Sequence, residues 1–511
     1  MGRAYPSLTQ RGFVMPTRLK ASAAYESGSS SGSRTRNWQG SGVGPNFAAA
    51  QNLPLMRGRA RDAVRNDPWA KTSVARFVSN VIGTGIQPHP KHPDPAVRKA
   101  LKQWWDDWAS EADADGLLDV YGLQTLAATS FFTDGEAFTR LVLRRPSADL
   151  PVPLQLRQFE SDFVPAEKNQ VLANGAEIVS GVEFDADANR VAYHMWRRHP
   201  GEYGRPAQGG QALVRVLADE IIHVFKPVRP GQVRGVTELA TILLRLKSLD
   251  NFDDAVLFRQ ELANLFAGFI TRKHEDGGDG VPPLNQLSGA EEQFDSDGFT
   301  PIASLEPGTL QQLGDDEEIK FSTPPGAGTD YAPFMRQQLM AAAASVGFPY
   351  EVLTGDLREV NDRVLRVILN EFRRGIEQLQ WNVFIHQYCR RVWAAWIDAL
   401  ALSGAMPMPD FYRTRREYLR VRWVPQGWPY MQPVQDMQAK RMAVRAGFTS
   451  RSAVVLEQGD DPETIDEENA MDNARADAQQ LRYDSDARVL DVKGDPTDST
   501  HPTDPTKDIV P

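Results

Sequence analysis

From about Asn361 to Leu402 the sequence carries a helical pattern with nothing to interrupt it. Val364, Ile368, Phe372, Ile376, Leu379 and Val383 recur at steps of four, four, four, three and four, the spacing of one face of an α-helix. No proline falls between Leu353 and Met406, so no ring breaks the backbone ladder. Gly404 and Pro407 supply an ordinary stop signal. Arg363, Arg366, Arg373, Arg374, Arg390 and Arg391 lie off the stripe. A helix of about 40 residues is roughly 60 Å long. That exceeds the core of one small domain and demands neighbours along its length, from the same chain or from other subunits.

The 511 residues allow about three domains. An apolar fraction of 41% is enough for a core, and the formal charge of -10 argues against a surface that grips nucleic acid all over. Such a charge remains compatible with nucleic acid sliding past a repelling wall. The single cysteine, Cys389, sits inside the long helical pattern; it cannot form an internal disulfide and reads as a packing residue. Neither a signal-peptide segment nor a run of about 18 apolar residues is present, which predicts a chain made in soluble form without membrane association.

In chain order, residues 1–52 are rich in Gly, Ser and Arg and predict a flexible basic arm. Residues 53–236 read as α+β. Leu53 to Ile86 is mostly helical, with Val74, Phe77, Val78, Val81 and Ile82 as its stripe and Gly83–Thr84–Gly85 as its stop. Ala96 to Ser110 is a second helix whose Trp104, Trp105 and Trp108 suit a core. Leu123 to Phe132 is a third. Strands are expected at 137–143, 154–159, 177–184, 190–196 and 220–225. A helix capped by Thr237 runs to Ala267, and Tyr331 to Val346 is another, with Pro333 in its first turn. Between them, residues 268–328 form an acidic, Gly- and Pro-rich insertion with strands at 268–274, 309–313 and 318–322. Residues 347–361 form a turn and a polar loop, 362–404 the long helix, and 405–432 a segment with five arginines between Phe411 and Trp423. Residues 433–481 are helical with breaks at Gly447 and Gly459, and 482–511 predict disorder.

Chemistry is scarce. Glu111, Asp113, Asp115, Gly116 and Asp119 follow calcium-loop spacing, but the twelfth position is Gly122 where a bidentate Glu is needed; the stretch reads as an acidic turn. No phosphate-binding P-loop is present, and Gly40, Gly42 and Gly44 lack a preceding strand. His194, His199 and His223 lack zinc spacing. Glu318–Ile319–Lys320, with Asp295 and Asp297 upstream, has the residue order of a metal-dependent nuclease and defines the alternative reading, a metal-dependent nuclease or other DNA-processing enzyme. No catalytic residue, metal ligand or cofactor site is assigned.

The order of features resembles the phage portal proteins, in particular the lambda-type family. The resemblance rests on Arg57 to Gly85, ending in Ser-Asn-Val-Ile-Gly-Thr-Gly, on Asp134–Gly135–Glu136, and on His223 to Gly235, ending in Arg-Pro-Gly-Gln-Val-Arg-Gly. It continues through Gly347 to Asp356 (Gly-Phe-Pro-Tyr-Glu-Val-Leu-Thr-Gly-Asp) and the long helix, and covers roughly Ala24 to Leu481. One departure is at Asn361 to Arg366, where the family has a serine pair between the asparagine and the arginine. The resemblance implies a ring, usually of twelve subunits, at one capsid vertex of the virion, assembled in the host cytoplasm. Double-stranded DNA would enter and leave through it, and terminase, head-completion proteins, major capsid protein and scaffolding protein would be its partners. By analogy, residues 53–236 would be the wing, 237–267 and 329–346 the stem helices, 268–328 the clip, 362–404 the tunnel helix and 433–481 the crown. Thr354, Gly355, Asp356, Arg358, Glu359 and Asn361 would form the tunnel loop at the DNA channel. Asp315, Asp316, Glu317 and Glu318 would form a terminase-docking surface on the clip. The resemblance implies no enzyme, since a separate terminase hydrolyses ATP.

Overall fold

The computed structural model describes residues 40, 42–202, 212–265, 269–272, 317–320, 331–358, 360–430, 432–481 and 483. The expected arm up to residue 39, the strand at 309–313, Asp295, Asp297, Asp315, Asp316 and Glu359, and the tail beyond residue 483 lie outside the described residues.

The expected flexible arm of residues 1–52 is helical near its end, where α1 (Pro45–Ala50) starts on a proline at its first turn, and the helical stretch expected from Leu53 divides into α2 (Leu53–Asn66) and α3 (Pro68–Val81). Asp67 makes the division: its backbone is extended, and its carboxylate accepts from the amides of Trp69 and Ala70 to cap α3. Next come β1 (Gln87–Pro90), α4 (Pro95–Ala109) and α5 (Val120–Asp134). In the acidic turn, Asp113 is buried and accepts from the amides of Asp115, Leu117 and Leu118 at 3.0, 2.9 and 3.1 Å. Backbone N–H groups thus occupy the carboxylate that calcium spacing would have offered an ion.

Two sheets follow. The first has strand order β3–β2–β9, with β2 at Glu136–Leu143, β3 at Leu154–Phe159 and β9 at Ile221–Phe225. The second is a meander of β4 (Gln170–Val171), β5 (Glu177–Val179), β6 (Val182–Phe184), β7 (Arg190–Met195) and β8 (Val214–Leu217). The stretch 177–184 is therefore a hairpin and not one strand. Ser180 and Gly181, at φ +49° and +81°, are both left-handed and reverse the chain in the two-residue manner that matches strand twist.

The next two helices are α6 (Leu243–Leu265) and α7 (Tyr331–Val346). Thr237 Oγ1 accepts from the amide of Leu239 and donates to the Phe132 carbonyl, so it caps a run of turns, and the α-helix begins only at Leu243. The two helices run antiparallel: Arg245 pairs with Gln338 near one end, and Tyr331 donates to Asp253 at 2.8 Å near the other. Phe252 packs on Tyr331 and Phe334. Beyond them β10 (Phe269–Arg272) and β11 (Glu317–Lys320) pair antiparallel.

After α8 (Tyr350–Thr354) the chain stays helical from Asp362 to Ser403, but not as one α-helix. α9 (Asp362–Leu379) gives way to a ten-residue π-helix, Gln380–Cys389, and then to α10 (Arg390–Ser403). The wider π turn delivers Val383, Phe384, Ile385, Tyr388 and Cys389 to the core together. It also aims two glutamines at neighbouring backbone. Gln380 donates to the Val81 carbonyl at 2.8 Å, and Gln387 both accepts from and donates to Phe225 on edge strand β9, at 3.0 Å in each direction. Burial pushes the Cys389 thiol up, as its packing role requires. The stripe is unevenly covered: Phe372, Ile376 and Val383 are buried, whereas Val364 is exposed.

Trp105 and Trp108 of α4 meet Trp393 and Trp396 of α10, with ring centroids 5.0–6.2 Å apart; Trp104 is half-buried beside them. The arginine-rich segment forms α11 (Phe411–Tyr418) and β12 (Val421–Val424), and β12 pairs with β1. α12 (Pro433–Arg445), α13 (Arg451–Glu457) and α14 (Pro462–Ala478) complete the described chain, and neither α12 nor α14 buries a residue.

Candidate functional site

The loop expected at the channel begins where Gly355, at φ +71°, ends α8. Thr354 Oγ1 donates to the Tyr350 carbonyl and accepts from the Asp356 amide. Asn361 caps α9 by accepting from the Val364 amide at 3.0 Å. These three residues shape the loop. Asp356 and Arg358 bind each other, with Nε and one terminal nitrogen both 2.8 Å from the carboxylate, and Tyr350 Oη adds a contact at 3.2 Å. The Arg358 guanidinium holds the Asp356 carboxyl well below the usual carboxylate range. Two residues expected to act separately at the loop thus form one bidentate pair. Arg358 is 86% exposed and forms the outer rim of that pair. Of the expected docking acids, Glu317 and Glu318 lie on β11, opposite Arg272 and Thr271.

A second constellation joins two sequence stretches that had been noted separately. Asp134–Gly135–Glu136, at the turn from α5 into β2, meets Arg234–Gly235 backbone to backbone. Gly135 has φ +91°, and a Cβ on Gly235 would stand 2.0 Å from the Gly135 carbonyl oxygen. At the centre is Glu136, fully buried. It accepts from Arg57, from Arg234 Nε at 3.0 Å, from the Gly235 amide at 2.8 Å and from His223 Nε2 at 3.0 Å. Arg234 also donates to the carbonyls of Val164 and Ser180, tying the second sheet to the first. Burial alone would raise the Glu136 carboxyl, but Arg234 and Arg57 outweigh it and hold the group well below its ordinary value. Burial pushes His223 down to about 4 against the pull of Glu136. His223 is thus neutral, with Nε2–H donating to Glu136 and Nδ1 facing Arg190 at 3.4 Å. Two buried guanidiniums facing one carboxylate and a neutral imidazole form a structural clamp, remote from solvent.

Arg61 extends the network, holding Asp134 through two bonds of 2.8 and 2.6 Å and reaching Asp162 at 2.5 Å. Glu160, Asp162 and His199 converge closely enough to suggest a metal site. The Arg61 guanidinium already lies between the two carboxylates, 3.3 Å from Glu160. His199 Nδ1 accepts from the Gly201 amide, which leaves the proton on Nε2, the nitrogen facing Glu160 at 3.0 Å. Arg61 thus stands where an ion would sit and pairs with both carboxylates, and the arrangement does not fit a metal cation. Sequence reading missed the Glu136 centre because Arg57, His223 and Arg234 stand 79, 87 and 98 residues from Glu136; the only signal was an Asp-Gly-Glu and an Arg-Gly pair with no visible connection.

Among the described residues no helix is long and apolar enough to cross a membrane. The model of the family described as phage portal protein, lambda family, matches residues 31–380. The chain is 27% identical to the probable portal protein of Halomonas phage phiHAP-1, over 80% of this chain and 78% of that one. It is 20% identical to portal protein B of Escherichia phage lambda, over 93% and 92%. Among solved structures it is similar to a chain in the neck of an empty GTA particle computed with C6 symmetry, at 16% identity and TM-score 0.44, over 81% of this chain and 94% of that chain.

Proposed function

The chain belongs to the lambda family of phage portal proteins, and on that footing we propose that it closes with eleven copies of itself into a ring at one vertex of the capsid. A portal subunit contributes to the channel through which DNA passes, and that role follows from the family. The observation that carries the ring is the antiparallel pair α6 and α7. It bears the β10–β11 ribbon at one end and leads through Gly347 and α8 into the long helix at the other. Leu244, Leu257, Phe258, Val364 and Val367 are exposed on these helices in a single subunit. Head-to-tail neighbours in a closed ring would cover such surface, because heterologous contacts that close give rings. The family is structural, and we read this subunit as a conduit without catalytic residues or cofactor, carried in the virion. Double-stranded DNA, terminase, head-completion proteins, capsid and scaffolding proteins would be its partners. The loop 354–361 would meet the DNA, with Arg358 as its cationic edge. The ribbon region with Asp315, Asp316, Glu317 and Glu318 would dock terminase, since loops on rigid supports commonly carry binding.

Light scattering on freshly purified protein is expected to give a particle many times the 56.9 kDa chain mass. A stable monomer at micromolar concentration overturns the ring. Replacing the four acids by Ser is expected to weaken terminase binding while rings still form, and unchanged binding moves the docking surface elsewhere.

A further inference from the structure

The chain is acidic overall, yet one of its faces is basic. In the β1–β12 ribbon His89 lies opposite Arg422, and Lys91 donates its amide to the Arg420 carbonyl, so Lys91, Arg420 and Arg422 share one side. Trp423, on the alternate side, is buried. Among the described residues, Arg420 and Arg422 have no acidic partner. His89 and Lys91 share a cleft with Arg98, Lys99 and Lys102 of α4, which carry the stripe onward.

This second half of the stripe is covered. Helix α14 lies over it and meets it through ion pairs. Arg98 meets Glu463 at 2.8 Å, Lys99 meets Glu467 at 2.7 Å, and Lys102 meets Asp461 at 2.7 Å and Thr464 at 2.9 Å. No residue of α14 is buried, so apolar packing contributes little to its seat. Ion pairs at or near the surface are individually weak. Beneath the helix is a cleft of about 290 Å³ lined by His89, Lys91, Arg98, Lys99 and Lys102 together with the α14 acids. His89 is more than nine-tenths buried at its floor, and its Nε2 has no hydrogen-bond partner.

We propose that this stripe is a second binding surface for double-stranded DNA, outside the loop 354–361, and that the acidic α14 is its exchangeable cover, holding three of the cations with carboxylates where phosphates would otherwise sit. The choice of DNA as the polyanion rests on the portal reading; the stripe and its cover do not. Lysine and arginine spaced along a helix and an adjoining strand neutralise successive phosphates without reading sequence.

The test uses full-length protein and a fluorescent closed-circular duplex, which cannot thread a closed ring, titrated by anisotropy at several salt concentrations. Ring size is measured in parallel by light scattering, so that loss of the ring reports on the portal reading and not on the stripe. The variant K91S/R420S/R422S is expected to weaken binding and to flatten the slope of log affinity against log salt by about 2.7, three contacts at about 0.9 each. E463Q/E467Q releases Arg98 and Lys99 and is expected to tighten binding and steepen the slope by about 1.8. Adding R98S and K99S to that variant should cancel the gain. Equal slopes in all proteins overturn the proposal, as does a gain from E463Q/E467Q that survives removal of Arg98 and Lys99.

Discussion

Replacing Glu136 by Gln keeps the shape of the side chain and removes the only negative charge between two buried guanidiniums. Arg57 and Arg234 are each about 2% exposed at the side chain, and Glu136 is fully enclosed. Arg57 Nε already lacks a hydrogen-bond partner, so its interaction with Glu136 is its main compensation for burial; its other carboxylate, Asp162, stands 3.9 Å away. Burial by itself lowers the Arg57 guanidinium's affinity for its proton. Breaking a buried pair in this way costs about 3–5 kcal/mol, because it leaves an uncompensated charge. For a domain of this size that is a fall in melting temperature of roughly 6–20 °C. Thermal unfolding followed by tryptophan fluorescence at pH 7.5 measures it. The double variant R57M/E136Q removes one of the two cations and is expected to recover part of the loss. A fall of under about 2 °C in E136Q would refute the reasoning, and a double variant no more stable than E136Q would show that charge imbalance is not the cause.

The pH dependence follows from His223, whose pKa is depressed to about 4 in the fold against about 6.5 unfolded. The unfolded chain therefore binds more protons between those values. Stability should be level above pH 6.5, fall as pH drops to about 4 by a total of about 3 kcal/mol, and level off below for this group; urea midpoints across that range check it, and H223Q should flatten the window. Gly235→Ala should lower the urea midpoint sharply, since its Cβ would stand 2.0 Å from a backbone oxygen. Gly375→Ala, in the interior of α9 with open space around its Cβ site, should instead stabilise by about 0.5–1 kcal/mol. Arg358→Glu should leave ring size unchanged and reduce the DNA packaged per particle; normal packaging by fully assembled mutant rings removes the loop from the channel.

Periodicity carried much of the fold. The stripe of Phe372, Ile376 and Val383, the helices at Pro95–Ala109 and Tyr331–Val346, and the strand at Leu154–Phe159 stand close to where apolar spacing places them. What failed to show had physical reasons. Gln87–Pro90 reads Gln-Pro-His-Pro and has no strand signal; only pairing with Val421–Val424 extends it. Ser180–Gly181 hides a reversal inside an apolar run, because the left-handed serine bears no obvious mark. The loop 354–361 was legible as a polar connection, but not the partnership of Asp356 with Arg358. The Glu136 centre was invisible for a stronger reason: long-range charge contacts have no period, and nothing in a single sequence relates Arg57 to Arg234.

The π segment at Gln380–Cys389 changes what a length change in this helix would mean. A wide turn closes on the fifth residue and not the fourth, so each such turn holds one residue more than the ladder around it. Removing a residue there could let the turn relax to α geometry while both ends keep their hydrogen bonding. The same deletion in α9, which has no surplus residue to give up, would instead rotate everything beyond it by roughly 100° about the axis, one residue's share of an α-helical turn. Trp393 and Trp396 would then face away from Trp105, and Gln387 would lose Phe225. The segment therefore works as a phase-setter between two stripes: it fixes the angle at which the far half of the helix addresses α4 and β9 relative to the half that follows the loop.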